Sequence, residues 1–247
     1  MREAMMKQGV FTILENTALT DSVYRMKLAG DASGVTAPGQ FINILLDGLF
    51  LRRPISVCDS DAGSITIIYK VIGKGTEQMS RMASGEKLDV LTGLGNGYDL
   101  NAAGDTPLLI GGGVGVPPLY KLAKLLTAAG KKVTVILGFN TKSEIFYEEE
   151  FKALGADVRV TTVDGSYGIT GFVTAAMPDT YSHYYACGPE PMLRAVFSAA
   201  KAPGEMSFEE RMGCGFGACM GCSCKTITGF KRICKDGPVM KSEEILW

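Results

Sequence analysis

In the stretch ERMGCGFGACMGCSCK, residues 210–225, four positions separate Cys214 from Cys219, two separate Cys219 from Cys222, and Cys234 lies twelve residues beyond Cys222. Cysteines at this density suit thiolate ligation of a soft metal. The chain has seven cysteines and a single histidine, His183. Centres that need two histidines, such as Cys2His2 zinc or a Rieske-type cluster, are thereby excluded. Structural zinc usually takes paired Cys-x-x-Cys knuckles, whereas Cys-x4-Cys-x2-Cys with a distant fourth cysteine is the plant-type [2Fe-2S] spacing. The spacing therefore predicts a [2Fe-2S] cluster on Cys214, Cys219, Cys222 and Cys234. The glycines between them leave backbone N–H groups free to face charged sulfurs. Cys224 is the surplus thiol; its side chain is expected to diverge from that of Cys222, which leaves Cys234 as the fourth ligand. The odd cysteine count and the crowding of five of the seven at or after Cys214 speak against a disulfide framework.

A cluster needs elements to hold it and partners to exchange electrons with. Residues 1–100 alternate apolar strands (FTILEN, VYRMKLAG, QFINILL, ISVCD, SITIIYKV) with turns at PGQ, DAG and GKG, which predicts an antiparallel barrel or sandwich. Over 101–205 the rhythm becomes strand then helix: PLLIGGG, PPLYKLAKLLTAAG, VTVILGF, EIFYEEEFKALG, VRVTT, HYYAC, PEPMLRAVFSAA. This βαβ pattern predicts a parallel sheet. Over 206–247 both rhythms stop and glycine and cysteine dominate. The expected architecture is a multidomain β and α/β chain: a barrel, a parallel α/β domain and a small cysteine subdomain.

At 247 residues, net charge −1 and 46% hydrophobic residues, the composition is that of a globular protein and argues against nucleic acid as a partner. The N-terminal residues carry no signal-peptide pattern and no later segment has the run of apolar residues that a membrane span needs, so a cytoplasmic location is expected.

LLIGGGVGVPPLYKL places a glycine turn between a strand and a helix. Small residues at Gly111, Gly112, Gly113, Val114 and Gly115 would let backbone amides approach a pyrophosphate. The stretch lacks a Walker A GK[ST] and the full GxGxxG spacing, and no acidic residue ends the next strand to separate NAD from NADP. YYACGPEPML repeats the arrangement, with Cys187 and Gly188 at a strand's carboxyl end and Met192 in the helix that follows. In the barrel region, Arg53 could hold a phosphate, Ser56 could face a flavin or nucleotide edge, and Gly75 with Thr76 opens a helix.

Together these stretches resemble the ferredoxin-NADP reductase superfamily, in which an FAD-binding barrel with an Arg-x-Tyr/Ile-Ser stretch precedes a nicotinamide-binding domain with CGP near its end. Here those are Arg53-Pro54-Ile55-Ser56 and Cys187-Gly188-Pro189. More narrowly, LRRPISV, IIYKVIGKGT, LGNGYDL, GGGVGVPPL, CGPEPML, EERMGCGFGACMGC and CKDGPV occur in the order found in electron transfer subunits of type B dihydroorotate dehydrogenases. The resemblance covers essentially the whole chain. It implies FAD on Arg53, Pro54, Ile55, Ser56, Ile68, Tyr69, Lys70, Gly75 and Thr76. It implies the [2Fe-2S] cluster on the four cysteines already named, and NAD on Gly111 to Pro117 and residues 187–192. It also implies an FMN-containing catalytic partner subunit that oxidises dihydroorotate, in a heterotetramer of two of each chain. Electrons would run from FMN through the cluster and FAD to NAD+, in pyrimidine biosynthesis. Rival readings are a flavin and iron-sulfur subunit of a ferredoxin-linked transhydrogenase or hydrogenase, and a non-catalytic zinc-bearing adaptor. If the cysteine segment meets the partner, Met212, Phe216 and Met220 should be at least partly exposed.

Overall fold

The computed structural model describes residues 6–247. Six strands, β1 (Lys7–Ala18), β2 (Val23–Ala29), β3 (Phe41–Leu45), β4 (Arg53–Ser60), β5 (Ser64–Lys70) and β6 (Lys87–Leu94), close into an antiparallel barrel in the order β1-β2-β5-β4-β3-β6. The expected barrel is therefore present. Its interior is filled by alternate strand residues, Phe11, Ile13, Met26, Leu28, Ile42, Ile44, Ile65, Ile67 and Val90 among them. The seven-residue helix α1 (Lys74–Ser80) follows β5.

The chain then builds β7 (Leu108–Gly112), α2 (Tyr120–Ala128), β8 (Thr134–Phe139), α3 (Glu148–Ala153), β9 (Asp157–Thr162), the short β10 (Ile169–Thr170), β11 (Tyr184–Cys187), α4 (Glu190–Ala199) and β12 (Gly204–Ser207). After the cysteine loop come a hairpin, β13 (Ser223–Thr226) with β14 (Gly229–Arg232), and a last strand, β15 (Val239–Lys241). The large sheet has the order β10-β9-β8-β7-β11-β12-β15, parallel except for β15, which runs antiparallel to β12. Thus the last part of the cysteine segment re-enters the sheet of the α/β region, which its irregular sequence did not announce.

Two expected helices are shorter than their sequences suggest. α2 is preceded by a 3-10 turn at Pro117–Leu119, because two prolines bring no N–H donors to the first turn. In EIFYEEEFKALG only α3 is α-helical. Tyr147, with φ of 67°, leaves the helical region so that Phe146 and Tyr147 can sink into the apolar core. That core joins barrel residues Val23, Cys58 and Ile68 to Leu119, Leu122, Val135, Phe151 and Tyr185 of the α/β region. Tyr98, buried at the end of the barrel, donates from its hydroxyl to Ala186 O at 3.2 Å and meets Tyr185 edge-on. Barrel and sheet are thereby one packed body.

Candidate functional site

The cysteine loop is built by reversals of the backbone. Gly215 and Gly217 have φ of 80° and 90°, and Met220 has 61°, turns that bend the chain around its own sulfurs. Within the loop, Cys214 Sγ accepts from Ala218 N at 3.3 Å and from Cys219 N at 3.4 Å. Cys219 Sγ accepts from Gly221 N, and Cys222 Sγ from Cys234 N at 3.4 Å. Burial opposes ionisation of Cys214, yet the N–H groups of Phe216, Cys219 and Ala218 and the neighbouring Cys219 thiol hold it down to about 6. Burial, together with the thiol of Cys222, pushes Cys234 up to about 12.

Backbone N–H bonds to sulfur link the four cysteines in two pairs, Cys214 with Cys219 and Cys222 with Cys234. A single zinc needs its ligands around one centre, whereas a two-iron cluster takes two thiolates at each iron. Two sulfur pairs with N–H groups aimed at sulfur fit the cluster, by the chemistry of the donors. Cys224 lies in β13, opposite Lys231, and is half-buried. Residues i and i+2 of an extended strand share a face, so the expected divergence from Cys222 does not follow from spacing. What favours Cys234 is its burial beside Cys222, both 1% exposed, in a core with Phe41, Leu91 and Leu94 of the barrel.

The glycine loops meet at the carboxyl ends of β7 and β11, where Gly111 pairs with Cys187. Much of their smallness serves the chain's own packing. A Cβ on Gly115 would lie 2.2 Å from Cys187 O, and one on Gly111 2.8 Å from Val116 Cα. Gly112 and Gly188 make room for the Met192 thioether, which would be 2.4 and 3.0 Å from Cβ atoms placed there. Gly113 differs: its φ is 53° and nothing lies within 4 Å of a Cβ built there, and Val114 beside it is exposed. The loop therefore offers an open edge at Gly113 and Val114, set on a base formed by Gly111, Gly112, Gly115, Gly188 and Met192. Its surroundings push the half-buried Cys187 thiol up to about 12, chiefly by desolvation, which disfavours the thiolate a nucleophile needs.

In the barrel, Arg53, Pro54, Ile55 and Ser56 run along β4, which pairs with β3. The Arg53 side chain crosses Gly75, where a Cβ would lie 2.3 Å from Nε, and its Nη1 donates to Leu51 O at 2.5 Å. The structure thus brings Arg53 and Gly75 together. Thr76 spends its hydroxyl locally, accepting from Ile72 N at 3.0 Å and donating to Gly73 O at 3.1 Å. Ile68 and Tyr69 bury their side chains, and the Tyr69 hydroxyl donates to Asn16 Oδ1 at 2.9 Å. Only their backbone is left for a ligand; Lys70 is exposed. Phe216 and Met220 are 44% and 53% exposed, while Met212 is half-buried against the core beneath Cys222.

Several polar residues hold these parts together, and although Asn96 and Asp236 fall within LGNGYDL and CKDGPV, nothing in the sequence shows which partner each one takes. Asn96 clamps the loop after β6 onto the CKDGPV stretch: its Nδ2 donates to Val239 O at 2.7 Å and its Oδ1 accepts from Val239 N at 3.0 Å. Arg232 donates to Gly217 O at 2.9 Å and pairs with Asp236 at 3.0 Å, tying the first cysteine loop to the turn that carries Cys234. Asn43 of β3 donates to Cys214 O at 3.3 Å. LGNGYDL and CKDGPV, which lie far apart in sequence, are thus two sides of one contact.

A barrel backed by a parallel sheet with glycine loops at its carboxyl ends is the architecture of flavin- and nicotinamide-dependent reductases. The structure matches that of an NADH-dependent reduced ferredoxin-NADP oxidoreductase studied for flavin-based electron bifurcation, with a TM-score of 0.88 and 31% identity over 97% of this chain and 90% of that one. It also matches the FAD/NAD-binding domain of a nitric oxide dioxygenase from Vibrio cholerae, with a TM-score of 0.66 and 21% identity over 81% of this chain and 99% of that one, a likeness of fold. Residues 209–246 match the iron-sulfur cluster binding domain of dihydroorotate dehydrogenase B, and residues 109–197 the oxidoreductase NAD-binding domain. The electron transfer subunit of dihydroorotate dehydrogenase B (NAD(+)) from Fusobacterium nucleatum is 43% identical over 95% of this chain and 96% of its own length. That from Bacillus pumilus is 44% identical over 97% and 98%. The chain belongs to the family of dihydroorotate dehydrogenase B (NAD(+)) electron transfer subunits.

Proposed function

We propose that this chain carries electrons, withdrawn from dihydroorotate by a separate FMN-containing catalytic subunit, to NAD+. The observation that supports this most directly is the pairing of Cys214 with Cys219 and Cys222 with Cys234, the latter pair packed on β6 and on β3, the strand beside β4. The cysteines hold the [2Fe-2S] cluster. Arg53 to Ser56, the backbone of Ile68 to Lys70, and Gly75 with Thr76 hold FAD, with Arg53 as the cation for its phosphates. Gly113 and Val114 receive NAD at the open edge of the loop, with Gly111, Gly112, Gly115, Cys187, Gly188 and Met192 as its base. When bound, the cluster carries electrons singly and the flavin trades them for the pair in a hydride.

The chain's own groups keep that exchange dry and fixed. The buried pair of Cys222 and Cys234 keeps one side of the cluster site from water, and the N–H groups at Cys214 stabilise charge on its sulfur. We assign residues 1–100 to flavin, 101–205 to nicotinamide and 206–247 to the cluster, in a cytoplasmic heterotetramer of two of each chain. Exposed Phe216 and Met220 face the partner. Among the described residues no helix is long and apolar enough to cross a membrane.

The test is an absorption spectrum of anaerobically purified chain with flavin, iron and sulfide quantified. About one FAD and two irons per chain, both centres bleached by NADH and untouched by dihydroorotate until a catalytic partner is added, support the proposal. Zinc without flavin would overturn it. The likeness to a ferredoxin-NADP oxidoreductase favours a second reading, the same chemistry with a ferredoxin as partner. Rapid reduction by ferredoxin but none by the dihydroorotate subunit would select it.

A further inference from the structure

We propose that Asn43 is a positioning residue that fixes the Cys214 turn of the cluster site against the flavin-binding strand. Asn43 lies in β3 and is 1% exposed, directly opposite Pro54 in the Arg53-Pro54-Ile55-Ser56 stretch of β4. Its main-chain oxygen accepts from Arg52 Nη1 at 3.3 Å, and Arg52 is itself paired to Asp89 at 2.8 Å. From the same residue, Nδ2 reaches across 171 positions of sequence to Cys214 O at 3.3 Å. The turn is shaped to receive it. Gly215 has φ of 80°, and a Cβ there would lie 2.3 Å from Asn43 Nδ2.

A second observation separates this from ordinary packing. Asn43 Oδ1 is buried and has no hydrogen-bond partner among the described residues. A buried amide with half its capacity unmet is a poor choice for a barrel wall, where leucine of similar size would serve the fold better. The donor end is what the position needs. By holding the Cys214 carbonyl, it fixes the turn in which Ala218 N and Cys219 N point at Cys214 Sγ. Such N–H donors favour the more negative, reduced state of a cluster. The inference rests on the cluster assignment proposed above.

The experiment compares the full wild-type chain, purified anaerobically, with Asn43→Leu and Asn43→Ser by redox titration followed by electron paramagnetic resonance. Leucine should leave flavin content, iron content and thermal stability at or above wild type. It should nevertheless move the cluster midpoint to a more negative potential, so that the fraction reduced at the wild-type midpoint falls several-fold, with an altered resonance line shape. Serine, a shorter donor that cannot span to Cys214 O, should do the same if leucine does not fold. A midpoint and line shape identical to wild type in a folded variant would overturn the proposal. A wild-type chain without any cluster signal would instead overturn the functional reading on which it stands.

Discussion

Cys222 and Cys234 show how a ligand can be chosen by burial when spacing leaves two candidates. Cys224 sits in a hairpin strand, while Cys234 lies in the core beneath the barrel beside Cys222. Cys234→Ser is therefore expected to abolish the iron content of the purified chain, and Cys224→Ser to keep about two irons, as metal analysis of the two proteins would show. Glu205 makes a different point. Burial first, and then the nearby Asp99 carboxylate, raise its carboxyl above the usual range, although Asp99 N–H, donating at 2.9 Å, opposes them. Ionising Glu205 in the folded chain is thus harder than in the unfolded one. Its contribution to stability is complete below about pH 4 and is lost as pH rises through the raised value. Glu205→Gln keeps an acceptor for Asp99 N–H and has no charge to bury. Its denaturation midpoint should gain on wild type as pH climbs from about 4 to neutrality, and a gain in the opposite direction would reject the assignment.

At the scale of elements, the loop after β6 and the strand β15 hold one another through Asn96. Asn96→Ala would leave both the N–H and the C=O of Val239 without these partners, at a cost of about 1–3 kcal/mol. The melting temperature should fall by several degrees for a chain of this size. Because the same stretch carries Cys234 toward its place, cluster retention during purification should fall with it, whereas a surface control such as Lys225→Ala should change neither. The hairpin β13–β14 is tied to the C-terminal segment by Ile227 N, which donates to Glu244 O at 2.9 Å, and by the Lys231–Glu244 pair at 2.7 Å. It presents Phe230, 72% exposed, on the same segment as Phe216 and Met220.

Over the whole molecule, one apolar core is shared by barrel and sheet, so the two halves are expected to unfold together. Calorimetry of the flavin-loaded chain should show a single transition covering both, and Ile68→Ala, which opens a cavity in that shared core, should lower it by about 2–5 kcal/mol without splitting it. Two resolved transitions would mean that the halves are independent bodies. The exposed ion pairs across this junction, such as Lys124 with Asp59 at 2.7 Å, add little by comparison, since an ion pair at the surface is worth about 0–1 kcal/mol.

Local pattern determined a good deal of this protein. Alternation made the barrel strands, the strand-then-helix rhythm made the parallel sheet, and the spacing of Cys214, Cys219 and Cys222 named their chemistry, because each depends on residues within a few positions of one another. Tyr147, placed by its neighbours in a helix, was turned out of it by the apolar core, and β15 was recruited to the sheet from a segment without strand rhythm. The glycine loop was legible as a loop, but its division into packing glycines and the open Gly113 was not, since that depends on Met192 and Cys187 arriving from another strand and helix. Asn43 was invisible for the same reason, and Asn96, although it lies in the LGNGYDL stretch, gave no sign of its clamp on Val239. A lone amide side chain has no periodicity, and its meaning lies in partners more than a hundred residues away, which only the closed barrel and the returning C-terminal strand bring within hydrogen-bond reach.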